Sequence, residues 1–123
     1  MQETLLLFQV SNDDYEKICH ICKQLSIQIK VIHKTDIHET MGYLLGIDGF
    51  ISSERQDKEE LLQPFLFFAG MSEQQLDILL ELLKMQSVKI PYKAMLTQHN
   101  LHYTFLELYQ SVEREYQEMT QNS

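Results

Sequence analysis

The hydrophobic pattern of the chain alternates between strand-like runs and helix-like stripes. Residues 5–10 form a near-continuous apolar run, which is typical of a strand buried on both faces. Apolar residues then recur at helical spacing over residues 12–25 behind the cap residue Ser11, which predicts a helix. Residues 27–33 alternate between apolar and polar, which predicts a half-exposed strand at a sheet edge. A short apolar stripe behind the cap residue Asp36, with Glu39 three residues on completing a partial capping box, predicts a second helix over residues 37–46.

The second half of the chain follows the same order of elements. Residues 65–69 are another buried apolar run, and Ser72 begins another helical stripe. Residues 88–96 alternate, and Pro91 favours an edge position because proline cannot donate to a sheet ladder. We predict that Asn100 caps the last helix.

Alignment of the two halves indicates an internal repeat. An offset of 61 residues places Leu5 on Leu66, and an offset of 64 places residues 37–41 on residues 101–105. Such self-similarity constrains the fold and suggests where a site could lie, but it does not identify a biochemical activity.

The length of the chain fits one domain with a sizeable core. We predict a single domain over residues 1–123, built of two repeats at about 4–46 and 64–116. The polar and charged residues 47–63 join the repeats and are predicted to form a mobile connector.

Two buried and two edge strands predict a four-stranded sheet with the first and third strands in the centre. One architecture is α+β and ferredoxin-like, with an antiparallel sheet ordered 4-1-3-2 and extra helices. The alternative is an α/β, parallel, doubly wound sheet ordered 2-1-3-4. The long connector over residues 47–63 favours the ferredoxin-like fold, because an antiparallel third strand requires the chain to be carried back.

The composition excludes some classes of partner. The net charge of −8 argues against nucleic-acid and anionic-membrane partners, because phosphate binding needs a clustered positive field. No apolar run approaches the roughly 20 residues of a membrane span. The first residues, Met1 to Thr4, carry no basic region, so no signal peptide is predicted. With only two cysteines, these observations predict a cytoplasmic protein.

The two cysteines form a Cys-x-x-Cys motif at Cys19 and Cys22. Reactive motifs of this kind lie at helix N-termini, whereas this one falls about two turns inside a predicted helix. Both residues share the apolar stripe of Ile18 and Leu25. The pattern therefore predicts core packing rather than redox chemistry, and we predict no metal and no cofactor.

The histidines are the side chains best suited to metal binding or catalysis. His38 and His102 are equivalent under the repeat, and each precedes a threonine by two residues. Imidazole is a common metal ligand and a general base near neutral pH. If a site built from both residues had two helix N-termini aimed at it, those N-termini would favour an anion there. The alternative is a structural role, in which each side chain bonds to nearby backbone, and the sequence leaves both interpretations open.

Three stretches carry a resemblance to a known family. They are Gly42–Gly46 (GYLLG), Lys93–Asn100 (K-A-x-L-T-x-H-N) and Thr104–Leu108 (TFLEL). Together they resemble a family of small bacterial proteins known only as a domain of unknown function, from the first strand to about Tyr116. The family pattern has proline at Gln98 and tryptophan at Tyr103, where this chain differs. The resemblance implies no activity, but it points to the Lys93–Asn100 segment, where a strand passes into a loop.

Our leading hypothesis is a non-enzymatic cytoplasmic module, binding or regulatory, for a partner protein or a small ligand, with a homodimer as one form. No catalytic residue is predicted. The predicted ligand-binding residues are His38, Lys93, Thr97, His99, Asn100 and His102. The alternative is a small metal-binding protein or enzyme that uses a histidine cluster at the helix N-termini.

Overall fold

A computed structural model describes residues 1–121 of the chain. The described residues fall into two compact units, and each unit draws on both halves of the sequence. The first unit combines residues 1–31 with 63–95, and the second combines residues 32–62 with those from 96 onward. The organisation as one domain of two repeats stays a prediction.

The elements follow the order that the hydrophobic pattern predicts. In chain order they are β1 (Thr4–Phe8), α1 (Asn12–Leu25), β2 (Gln28–Ile32), a 3₁₀ turn (Lys34–Asp36), α2 (Met41–Leu44), β3 (Phe65–Ala69), α3 (Glu73–Met85), β4 (Tyr92–Met95), a second 3₁₀ turn (Asn100–His102) and α4 (Phe105–Gln121). Among these described helices, none combines the length and the apolar character needed to cross a membrane.

The four strands form one open mixed sheet in the order β2-β1-β3-β4, and the fold is α+β. β1 and β3 are antiparallel, with Leu6 opposite Phe67. β3 and β4 are parallel, with Phe67 opposite Ala94. The prediction that the first and third strands are central and the second and fourth lie at the edges is therefore confirmed.

The strand order is that of the doubly wound alternative, 2-1-3-4, but the strand directions depart from both predicted architectures. The ferredoxin-like order 4-1-3-2 is not found, and the parallel pairing of β3 and β4 departs from an all-antiparallel sheet. The antiparallel pairing of β1 and β3 equally departs from the all-parallel alternative. Helix α3 returns the chain to the end where β3 began, so β4 lies beside β3 and runs parallel to it. The antiparallel pairing of β3 with β1 is the direction that the long connector over residues 47–63 predicts.

A serine caps the N-terminus of each of the two long helices of the first unit, as the sequence predicts. Ser11 accepts a hydrogen bond at Oγ from Asp14 N at 3.2 Å, ahead of α1. Ser72 accepts from Gln75 N at 3.1 Å and donates its own N–H to Gln75 Oε1 at 2.8 Å. This reciprocal capping box satisfies donors that the helix itself leaves unpaired.

The core of the first unit lies between one face of the sheet and the helices α1 and α3, which pack against each other. Leu5 and Leu7 of β1 contribute with their cross-strand partners Phe68 and Leu66 of β3. The remaining buried members of this core are Ile18, Ile21, Cys22, Ile27, Leu79, Leu83, Val88 and Ile90. The alternate side chains of β1 and β3 are also buried, which explains why both strands read as continuous apolar runs.

In the second unit both helices begin later than the cap residues Asp36 and Asn100 predict. Helix α2 begins after Thr40, whose Oγ1 accepts from Tyr43 N at 3.1 Å. Helix α4 begins after Thr104, which forms a capping box with Glu107. Asp36 instead accepts from the backbone N–H of His33 at 2.9 Å and closes the first 3₁₀ turn.

Backbone pairing explains these late starts. Thr40 and Thr104, which the repeat aligns, pair with each other as an antiparallel bridge. The flanking hydrogen bonds run from Met41 N to Tyr103 O (2.8 Å), from Phe105 N to Glu39 O (3.0 Å) and from Leu106 N to Ile37 O (2.9 Å). Thr40 in the bridge and Tyr103 beside it have extended backbones, so each 3₁₀ turn upstream ends before the bridge and the regular helix begins only after the threonine.

Candidate functional site

The two histidines that the repeat makes equivalent lie on opposite sides of the threonine pair. Because the bridge between Thr40 and Thr104 is antiparallel, His38 and His102 diverge from it in opposite directions. Both also precede the helices rather than lying in their first turns. The ladder therefore does not bring them together at paired helix N-termini.

Each histidine instead faces the segment between α2 and β3. The side chain of His38 is 7% exposed, and its Nε2 lies 4.0 Å from Asp57 Oδ2. The ring of His102 lies 5.3 Å from that of Phe50, measured between centroids. His99 is exposed at the start of the second 3₁₀ turn. Over residues 1–121, no three His, Cys, Asp or Glu side chains are grouped so that they could hold a metal ion.

Thr97 and Asn100 use polar groups to build the turn after β4. Thr97 N donates to Asn100 Oδ1 at 2.8 Å, and Asn100 N donates to Thr97 Oγ1 at 3.0 Å. These reciprocal bonds give both side chains a structural role in the turn. Of the six predicted ligand-binding residues, this is the one pair that hydrogen bonds shown in the described structure join directly.

A buried carboxylate that the sequence interpretation missed lies beside His38. Glu39 is 5% exposed, and its Oε1 accepts from Ser52 Oγ (3.1 Å), Ser53 N (3.0 Å) and Ser53 Oγ (2.8 Å). Its Oε2 is buried and has no hydrogen-bond partner among the described residues. The spacing of Asp36 and Glu39 predicts a capping box, and nothing local pairs Glu39 with serines 13 and 14 residues away.

These contacts anchor residues 50–57, where the polar sequence predicts a mobile connector. Besides the two serines, Phe50 packs over Gly42, since a Cβ added there would lie 2.6 Å from the Phe50 ring. Arg55 donates to Asp57, and this bond, more than the nearby charges of Arg55 and His38, lowers the pKa of the Asp57 carboxyl. The side chains of this segment are mostly exposed, and the bonds of Ser52 and Ser53 to Glu39 tie the segment to the residues before α2.

A pocket of about 560 Å³ lies within the first unit, and we call it the lysine-lined pocket. Its apolar lining comes from Leu66, Leu80, Leu83, Val88, Ile90 and Pro91. Three lysines complete the lining: Lys84, Lys89 and Lys93. Lys93 Nζ donates to Ile90 O at 2.6 Å, and burial lowers the pKa of its ammonium group. An apolar lining with three cationic side chains suits an amphipathic anion.

The Cys-x-x-Cys motif serves the core of the first unit, as its helical position predicts. Both cysteines are free thiols, and Cys22 is 1% exposed among the apolar residues of α1 and α3. Burial, with a smaller effect of the Cys19 charge, raises the pKa of the Cys22 thiol to about 12. Since the thiolate is the reactive form, Cys22 is poorly suited to redox chemistry or metal binding.

We therefore expect Cys22 to resist thiol reagents in the folded protein. In a Cys19→Ser variant at pH 8, a disulfide reagent should modify Cys22 more than about a hundredfold more slowly than in 8 M urea, because the folded thiol is both buried and protonated. Release of the coloured leaving group measures both rates. Equal rates in native buffer and in urea would contradict the core assignment.

The lysine-lined pocket and the turn of Thr97 and Asn100 both fall in the second half of the chain, and so does the likeness to a known family. Residues 64–119 match the family model of a domain of unknown function, DUF3783. The DUF3783 region contains the Lys93–Asn100 segment, whereas Gly42–Gly46 lies outside it. No curated protein and no solved structure matches the chain. The DUF3783 match carries no described activity, so a proposed function depends on geometry.

Proposed function

We propose that this chain is a non-enzymatic cytoplasmic binding module that holds a small ligand with an apolar body and a carboxylate head. The lysine-lined pocket carries this proposal. Its volume of about 560 Å³ falls within the range of about 300–1,000 Å³ that small-molecule sites occupy. All of its lining residues belong to the first unit, and all lie within the DUF3783 match.

The charge of the lining favours an anion. The whole chain has ten Lys and Arg residues and a net charge of −8, yet three lysines line this one pocket. Lys93 lies on the edge strand β4 and is exposed as a residue, while partial desolvation lowers the pKa of its ammonium group. A carboxylate at this position would replace water as the partner of a cation that burial otherwise disfavours.

The apolar lining supplies the affinity for the ligand body. Leucine, isoleucine and valine side chains form the lining away from the lysines. Each methylene transferred from water to such a surface contributes about 0.8 kcal/mol. Seven or eight carbons together contribute about 6 kcal/mol before the cost of association is subtracted, so we expect a dissociation constant in the millimolar range.

Octanoate is the probe that tests this proposal. Calorimetric titration should show saturable binding of octanoate at pH 7, with octanol and octylammonium at least tenfold weaker, because only the carboxylate pairs with the lysines. The substitution Lys93→Met should weaken the binding of octanoate at least tenfold, which corresponds to a loss of about 1.4 kcal/mol in binding free energy. The matched control is Lys58→Met, since Lys58 is exposed outside this pocket. Equal loss in the two variants, or octanol as tight as octanoate, would refute the proposal.

The pH dependence gives a separate readout of the same titration. A bound carboxylate favours the charged form of Lys93, so binding takes up protons as the pH approaches the lowered pKa of Lys93. Octanoate affinity should be constant near pH 7 and should fall at a pH below ~10.4, where a lysine of ordinary pKa loses its charge. In the Lys93→Met variant, this loss of octanoate affinity below pH ~10.4 should disappear.

A further inference from the structure

The second unit contains a separate small pocket around Glu39, of about 150 Å³, which we call the Glu39 pocket. Asp36, Ser52, Glu54 and Arg55 contribute to its lining along with Glu39. Residues 32–62 supply all of this lining, so the pocket is independent of the lysine-lined pocket. We propose that the Glu39 pocket binds a small primary ammonium compound.

The buried carboxylate of Glu39 carries this proposal. Three hydrogen bonds from Ser52 and Ser53 hold Oε1 in place, and they fix the orientation of the group. Oε2 is buried and meets no donor among the described residues. A buried acceptor without a donor costs about 1–3 kcal/mol, and a charged one costs more. A ligand that donates a hydrogen bond to Oε2 would recover that cost.

The charges around the pocket indicate that this donor is a cation. The lining holds three carboxylates, from Asp36, Glu39 and Glu54. Arg55 is the one cation among the described lining residues, and its guanidinium already donates to Asp57 outside the lining. The pocket therefore has negative charge that its own arginine does not neutralise.

Size and donor chemistry narrow the ligand class. The pocket is several times the roughly 30 Å³ that one water molecule occupies in the liquid, so it suits a compound of a few heavy atoms. The described residues offer no group of three His, Cys, Asp or Glu side chains for a metal ion. A primary ammonium group presents three N–H donors and a full positive charge, and it therefore meets both requirements of the Glu39 carboxylate.

Propylammonium is the probe, and the full-length chain is the sample. Amide NMR spectra at pH 7 should show saturable shifts at Ser53 and Arg55 as propylammonium chloride is added at constant ionic strength. Tetramethylammonium has the same charge and no N–H donor, and it should bind at least tenfold more weakly. Glu39→Gln should also weaken propylammonium at least tenfold, because an amide N–H₂ replaces one acceptor, while the matched control Glu60→Gln should leave affinity unchanged.

Three results would overturn the proposal: no saturable shift with propylammonium, equal binding of tetramethylammonium, or unchanged affinity in Glu39→Gln. If Glu39→Gln does not fold, the comparison of the two cations on the natural chain decides the question by itself. Failure here leaves the proposed binding of octanoate untouched, because the two pockets share no residue.

Discussion

Replacing Leu79 with alanine is expected to lower the free energy of unfolding by about 2–5 kcal/mol. Leu79 is fully buried and lies on α3, where it packs into the core between the helices and the sheet. The loss combines the transfer of the removed carbons with a cavity that close-packed neighbours fill only in part. Since a domain is stable by only about 5–15 kcal/mol, this is a large fraction of the total.

The neighbouring residue on the same helix provides the control for Leu79. Ile78 is 45% exposed, so Ile78→Ala should cost less than about 1 kcal/mol. The chain has no tryptophan, so urea unfolding is best followed by far-UV circular dichroism at 222 nm. Equal destabilisation by the two substitutions would mean that the core does not lie on the Leu79 side of α3.

Replacing Gly70 with alanine is expected to cost about 2–3 kcal/mol. Gly70 follows β3 with a left-handed backbone (φ +76°), which is unfavourable for a residue with a side chain. A Cβ there would also lie 2.8 Å from the backbone oxygen of Gln2, which cannot turn away as a side chain would. Strain and steric overlap therefore add together.

Gly46 separates these two contributions. Its backbone angle is nearly the same (φ +73°), but no described atom lies within 4 Å of an added Cβ. Gly46→Ala should therefore cost only about 1 kcal/mol, from the backbone strain alone. Urea titrations of both variants measure the difference. A cost for Gly46→Ala as large as that for Gly70→Ala would show that contact with Gln2 contributes nothing.

The left-handed positions also bear on the repeat hypothesis. The offset of 61 residues that aligns the apolar strands places Gln9 on Gly70 and Ser26 on Ser87. All four residues have positive φ. Turns of the same kind thus follow β1 and β3, and again follow α1 and α3. This shared geometry supports the interpretation of two related halves, which stays a prediction.

The sequence predicted part of each candidate site and missed the remainder. The sequence predicted Lys93 as a site residue because it lies in the Lys93–Asn100 segment. The pocket beside Lys93 depends on how α3 packs against β3 and β4, which the sequence did not reveal. Lys84 and Lys89 gave no sign of sharing a site with it. Glu39 was interpreted as a partner of Asp36, because capping rules consider only residues three apart. Its true partners come from a distant polar segment with no pattern of its own.

Local signals in the sequence determined the buried strands β1 and β3, the helices α1 and α3 with their serine caps, and the edge positions of β2 and β4. Side-chain periodicity and capping act over a few residues, so they can be recognised without knowing the fold. Only the tertiary structure decided the strand directions, the helix starts after Thr40 and Thr104, and the anchoring of residues 50–57. Each of these depends on hydrogen bonds between residues far apart in the chain, whose pairing local patterns do not encode.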